Sequence, residues 1–158
     1  MIARYSLTSN IRDQEYEQLL QELGAWCPYA LFVVRAQLGL NERADNLLKA
    51  LAPSIDESYE AQEWPGTQLM TGTATVYVVK LAQSCETIAR AARGFYDWVQ
   101  PGLPEDLSLL RKTREPCLVT IAHEKDGYID LAASEFARLQ NSVPRVVEAF
   151  RREEPPTE

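Results

Sequence analysis

The stretch that most constrains the fold is Leu103–Glu135, LPEDLSLLRKTREPCLVTIAHEKDGYIDLAASE. Within it, Cys117 to His123 reads as a strand. Val119 and Ile121 alternate with Thr120 and Ala122, and β-branched side chains suit a pleated, half-buried surface. A period of two places Cys117, Val119, Ile121 and His123 on one face, with Leu118, Thr120, Ala122 and Glu124 on the other. Glu124 to Gly127 is expected to turn, Asp126-Gly127 supplying positive φ. Tyr128, Ile129 and Leu131 return as a second strand, so the stretch forms a β-hairpin to which the rest attaches.

Taken in order, the chain begins with a strand over Ala3–Leu7. Thr8, Ser9 and Asn10 offer capping oxygens for a helix whose apolar stripe is Tyr16, Leu19, Leu20 and Leu23, stopped by Gly24. Tyr29 to Arg35, YALFVVR, reads as a central strand. Asn41 caps a second helix that buries Ala44, Leu47, Leu48 and Leu51 and ends at Pro53. Ser54 to Thr67, SIDESYEAQEWPGT, has poor periodicity and is expected to be an exposed loop or a fragmentary helix. A strand follows over Thr73–Leu81, then a third helix capped by Ser84 with Cys85, Ile88, Ala92 and Phe95 on its inner stripe. Leu107–Leu110 is a short strand, and Arg111-Lys112-Thr113-Arg114 a solvated tip. The last helical region carries Phe136, Leu139, Val143, Val146, Val147 and Phe150, with Pro144 expected to kink or divide it.

At 158 residues the chain is long enough for one domain with a real core. Residues 1–150 are expected to form a single α+β domain, with a mainly antiparallel sheet of five or six strands and helices on one face. Residues 151–158, RREEPPTE, are expected to be a disordered polar tail. No apolar run approaches the ~18 residues that span a bilayer, and the N-terminus lacks the pattern of a signal peptide. A cytoplasmic location and no membrane partner follow as expectations.

The formal net charge is −7. It is uneven, since Met1 to Glu63 holds ten acids against five bases. Nucleic acid is a disfavoured partner, because neutralising phosphates needs clustered Lys and Arg. An acidic exterior instead steers toward a basic partner. The acidic, aromatic-bearing segment Asp56, Glu57, Tyr59, Glu60, Glu63 and Trp64 is the candidate binding surface, with Tyr59 and Trp64 as anchors. The same segment also reads as a solvated connection with Trp64 tucked into the core.

Three well-separated cysteines, Cys27, Cys85 and Cys117, contain no CxxC pair and read as buried free thiols. Cys117 and His123 cannot form a nucleophile–base dyad, because six residues of strand hold them roughly 20 Å apart. His123, Glu124, Asp126 and Asp130 have ligand-type side chains. Neighbours on a strand point to opposite faces, however, so neither a metal site nor any cofactor is expected. Glu105 and Asp106 follow Pro104 and read as surface or capping acids. If the chain is an enzyme, His123 with Glu105, Asp106 and Asp126 is the candidate polar cluster, although no residue carries a catalytic signature such as GxSxG or HExxH.

LPEDLSLLR at Leu103–Arg111 and CLVTIAHEKDGYIDL at Cys117–Leu131, with TATVYVVKL and FYDW upstream, resemble a group of small uncharacterised bacterial proteins. These share Leu-Pro-Glu-Asp-Leu followed by a strand ending in His-Glu before an acidic turn. The resemblance implies no activity for any residue. In size and acidity the chain is also similar to bacterial immunity proteins, which neutralise toxins. The leading expectation is therefore a protein-binding module of immunity type, an inhibitor of a bacterial toxin whose domain is basic. Alternatives are a small hydrolase or transferase centred on His123, and a structural subunit of a larger assembly.

Overall fold

The computed structural model describes residues 1–154. Its strands are β1 (Ile2–Leu7), β2 (Tyr29–Val34), β3 (Ile55–Ala61), β4 (Glu63–Trp64), β5 (Thr67–Gln68), β6 (Ala74–Lys80), β7 (Glu105–Leu110), β8 (Pro116–Ile121), β9 (Asp126–Ala132) and β10 (Phe150–Arg152). The helices are α1 (Gln14–Leu23), α2 (Glu42–Leu51), α3 (Leu81–Ala91), α4 (Ala133–Ser142) and α5 (Pro144–Val147). Eight strands form one sheet in the order β10-β1-β9-β8-β7-β2-β6-β3, and β4 pairs with β5 in a separate small hairpin. Every neighbouring pair in the large sheet is antiparallel. The class is α+β, as expected.

One face of the sheet carries the helices. In α1 the stripe Tyr16, Leu19, Leu20 and Leu23 is wholly buried, as spacings of three and four on one helix face require. Each such side chain contributes roughly 1.5–3 kcal/mol by leaving water. Leu47 and Leu51 of α2, Ile88 of α3, Leu139 of α4 and Val146 of α5 join the same core. They meet Phe32, Leu107, Leu109, Leu118 and Ile129 from the sheet. Tyr16 sits among them with its hydroxyl satisfied, donating to Ile88 O at 2.7 Å and accepting from Trp98 Nε1 at 3.2 Å. Asn41 Oδ1 accepts from Ala44 N at 3.1 Å, the N-cap expected for α2. Pro144 opens α5 and divides the last helical region in two.

The opposite face is covered by the β4–β5 hairpin. Trp64 packs there with Leu31, Val33, Val76, Val78 and Leu110 in a second, smaller core. Gly66 at the hairpin tip has φ +88°, and a Cβ there would lie 2.8 Å from Ile121 Cγ1 and 3.0 Å from Val119 Cγ1. Only glycine takes this backbone and lets the tip rest on β8.

Several features depart from the sequence reading, among them the third helix, which begins at Leu81 with Ser84 inside it, its hydroxyl donating to Lys80 O at 2.9 Å, rather than being capped by Ser84. The sheet has eight strands rather than five or six, and the two additional strands, β3 and β10, are its edges. Ser54–Thr67 is not a loop, because β3 pairs with β6 through Ser58↔Tyr77 and Tyr59↔Val76. Arg151 and Arg152 are not a loose tail. They pair with Ser6 and Tyr5, and Ser6 Oγ donates to Glu153 Oε1 at 2.8 Å; residues 155–158 of the expected tail lie outside the described residues. Finally, β8 stops at Ile121, so His123 lies on a single 3-10 turn over Ala122–Glu124 and not on the strand. The positive φ belongs to Lys125 (52°), while Asp126 and Gly127 are already in β9.

Candidate functional site

Two places combine exposed or unsatisfied polar groups: a buried carboxylate pair under His123, and the acidic edge strand β3.

Glu105 and Asp106 open β7 and are 4% and 1% exposed. A regular strand would send them to opposite faces. Asp106, however, has φ +58°, and the β2–β7 register shifts between Leu31 and Val33. The left-handed residue breaks the alternation, and aspartate tolerates it better than most side chains. Both carboxylates reach His123, whose Nδ1 lies 3.7 Å from Asp106 Oδ1 and 4.0 Å from Glu105 Oε2. Its Nε2 stands 3.9 Å from Glu124 Oε1.

The surroundings hold these acids firmly. Asp106 Oδ1 accepts from Ala122 N at 2.9 Å and its Oδ2 from Trp64 Nε1 at 3.2 Å. Glu105 Oε1 accepts from Gln100 N at 3.1 Å, while Glu105 Oε2 is buried with no hydrogen-bond partner among the described residues. Burial pushes both carboxyl pKa values above the ordinary range, against the pull of those N–H groups and of the Arg35 charge. Chemically, the trio can share a proton, relay one to a ligand at His123, or grip a cation.

Of the four residues named for an enzyme cluster, Glu105, Asp106 and His123 converge. Asp126 does not belong to the trio, and its Oδ1 accepts from its neighbour Gly127 N. The reading of Glu105 and Asp106 as surface or capping acids is wrong, because it relied on the regular alternation that Asp106 breaks. Cys27 and Cys117 are buried, Cys117 Sγ donates to Asp130 O at 3.4 Å, and neither thiol joins the trio around His123.

On β3, Asp56, Glu57, Ser58, Tyr59 and Glu60 are all exposed, as is Glu63 beyond it. Arg114 from the β7–β8 turn pairs with Asp56 and Glu57 and lies over the Tyr29 ring. Glu60 accepts from Thr73 and Thr75 hydroxyls. Trp64 is 6% exposed and bonded to Asp106. It cannot be the anchor for a partner; of the two aromatics expected in that role only Tyr59, 45% exposed, is accessible. Arg35, Gln100 and Ala122 escaped the sequence reading. Nothing in their local pattern marks them, since their roles arise from backbone N–H groups and charge brought close by folding.

Among the described residues, no helix is long and apolar enough to cross a membrane. No family profile, curated protein or solved structure matches the chain.

Proposed function

We propose that this chain is a protein-binding module that receives an extended basic segment of another protein along β3. The observation that carries this reading is the free outer edge of β3. Among the described residues the strand is terminal in the sheet and pairs with β6 alone. An open edge offers backbone N–H and C=O groups to a further strand, and alternate side chains then set specificity. Here those side chains are Asp56, Glu57, Tyr59 and Glu60, followed by Glu63. Among the described residues only Arg114 forms an ion pair with any of these acids. Like charge discourages two copies from pairing through this edge, leaving it to a partner of opposite sign. The finer role consistent with this surface is that of an immunity-type inhibitor in the bacterial cytoplasm, holding a basic toxin domain.

The test uses an octapeptide of alternating valine and lysine, followed by fluorescence anisotropy. It should bind with an affinity that falls as salt rises, and Glu60→Lys with Glu63→Lys should weaken it about tenfold or more. Equal binding of an alternating valine–glutamate peptide, or indifference to the charge reversal, removes β3 as the docking edge. A second reading, a small hydrolase or transferase centred on His123, draws on the approach of Glu105 and Asp106 to its Nδ1. Turnover on a panel of esters, phosphoesters and glycosides, lost in His123→Asn, supports it; an inert wild-type protein removes it.

A further inference from the structure

We infer that Glu105, Asp106 and His123 form a binding site for one divalent first-row transition ion. This site is separate from the docking edge and does not depend on it.

The geometry is close to what such an ion needs. One ligand atom from each residue lies within 4.8 Å of the other two. The separations from His123 Nδ1 are 3.7 Å to Asp106 and 4.0 Å to Glu105. Bonds of about 2.1 Å in a tetrahedral site give a ligand–ligand edge of roughly 3.4 Å. His123, with its side chain 42% exposed on a short turn, is free to close its own two separations by the few tenths of an ångström this requires, while the two carboxylate oxygens, within 4.8 Å of each other, would have to draw together on the ion. That exposure also leaves a way in for the ion and an open coordination position toward solvent.

The second observation is Glu105 Oε2. It is buried, faces His123, and has no hydrogen-bond partner among the described residues. A buried polar atom left unsatisfied costs about 1–3 kcal/mol, more if charged. A cation removes that cost, and it also offsets the repulsion between two neighbouring buried carboxylates. Asp106 is held for the task by Trp64 and Ala122, each of its oxygens keeping a lone pair free. On the far side of the imidazole, Glu124 stands where a metal-ligating histidine commonly meets an orienting carboxylate. One imidazole with two carboxylates suits zinc, manganese or iron better than calcium or magnesium.

The experiment is titration of chelator-treated full-length protein with Zn²⁺ by calorimetry, and with Mn²⁺ by electron paramagnetic resonance. The expected result is saturable one-to-one uptake that falls about tenfold or more in both Glu105→Gln and His123→Asn. Glu105→Gln is nearly isosteric and His123 is exposed, so circular dichroism should find both variants folded. His123 is the single histidine, so ¹⁵N imidazole signals report it without ambiguity, and Zn²⁺ should move Nδ1 more than Nε2. Absence of one-to-one uptake, uptake that survives either variant, or an imidazole spectrum unchanged by Zn²⁺ overturns the site.

Discussion

Replacing Trp64 tests whether it is a structural residue of the second core or a docking side chain. The indole is 6% exposed against Leu31, Val33, Val76, Val78 and Leu110, and its N–H reaches Asp106 Oδ2 at 3.2 Å. Trp64→Ala removes the packing and leaves a cavity, for which about 3–5 kcal/mol is the ordinary cost. Trp64→Phe keeps most of the apolar contact and removes only the donor. Hydrogen bonds to charged groups are worth about 1.5–3 kcal/mol, so this variant should lose roughly that much. In an Asp106→Ala background the same Phe substitution should cost about 1 kcal/mol or less, the difference being the pair's coupling. Urea unfolding followed by circular dichroism measures all three, provided the slope m is unchanged. A loss below about 0.5 kcal/mol for Trp64→Ala is what an exposed residue gives. That result would refute the second core and return Trp64 to the docking surface.

Gly127 is in β9 with its Cβ position 2.8 Å from Val119 O and 3.0 Å from Leu7 Cδ1. Gly127→Ala should therefore destabilise by about 1–3 kcal/mol through overpacking; an unchanged melting temperature would contradict this close approach. Arg111 holds Glu135 through two hydrogen bonds of 2.7 and 2.8 Å, with side chains 21% and 15% exposed. The bond from Arg111 sets the Glu135 carboxyl below its usual pKa. Its stabilisation is thus fully present above the unfolded value of about 4.3 and is lost as pH falls through the lower folded value. Glu135→Gln should cost about 1–3 kcal/mol at pH 7, and the gap to wild type should narrow below about pH 4. A gap independent of pH would contradict that linkage.

The inner strands of the sheet were legible because burial on one or both faces writes a pattern into YALFVV, ATVYVVK and PCLVTI. The edges were not. IDESYEA in β3 and FRR in β10 have no apolar alternation, since an edge strand exposed to solvent does not need one. The helices could be read from their stripes, and Asn41 and Pro144 acted as their chemistry suggests. Glu105, Asp106 and His123 were named together as the candidate cluster, but how they converge was hidden in two local backbone events. The left-handed conformation at Asp106 turned two adjacent carboxylates to one side, and the early end of β8 moved His123 onto a turn beside them. Neither event has a signature in residue types alone, because each is imposed by pairing with distant strands. Trp64 illustrates the converse. Its segment offered two readings, a partner anchor or a side chain tucked into the core, and tertiary packing on Val76 and Leu110 takes the second.

Hydrogen–deuterium exchange across β3, with and without the alternating valine–lysine peptide, tests the proposed docking most directly. Among the described residues no strand lies beyond the outward amides of Ile55–Ala61, so they should exchange quickly in the free chain and slow about tenfold or more when the peptide adds a strand. A version of the peptide with proline at alternate positions, which keeps the charge and loses the donors, should give no protection. Protection confined to another surface, or equal protection by the proline version, would contradict strand addition at this edge.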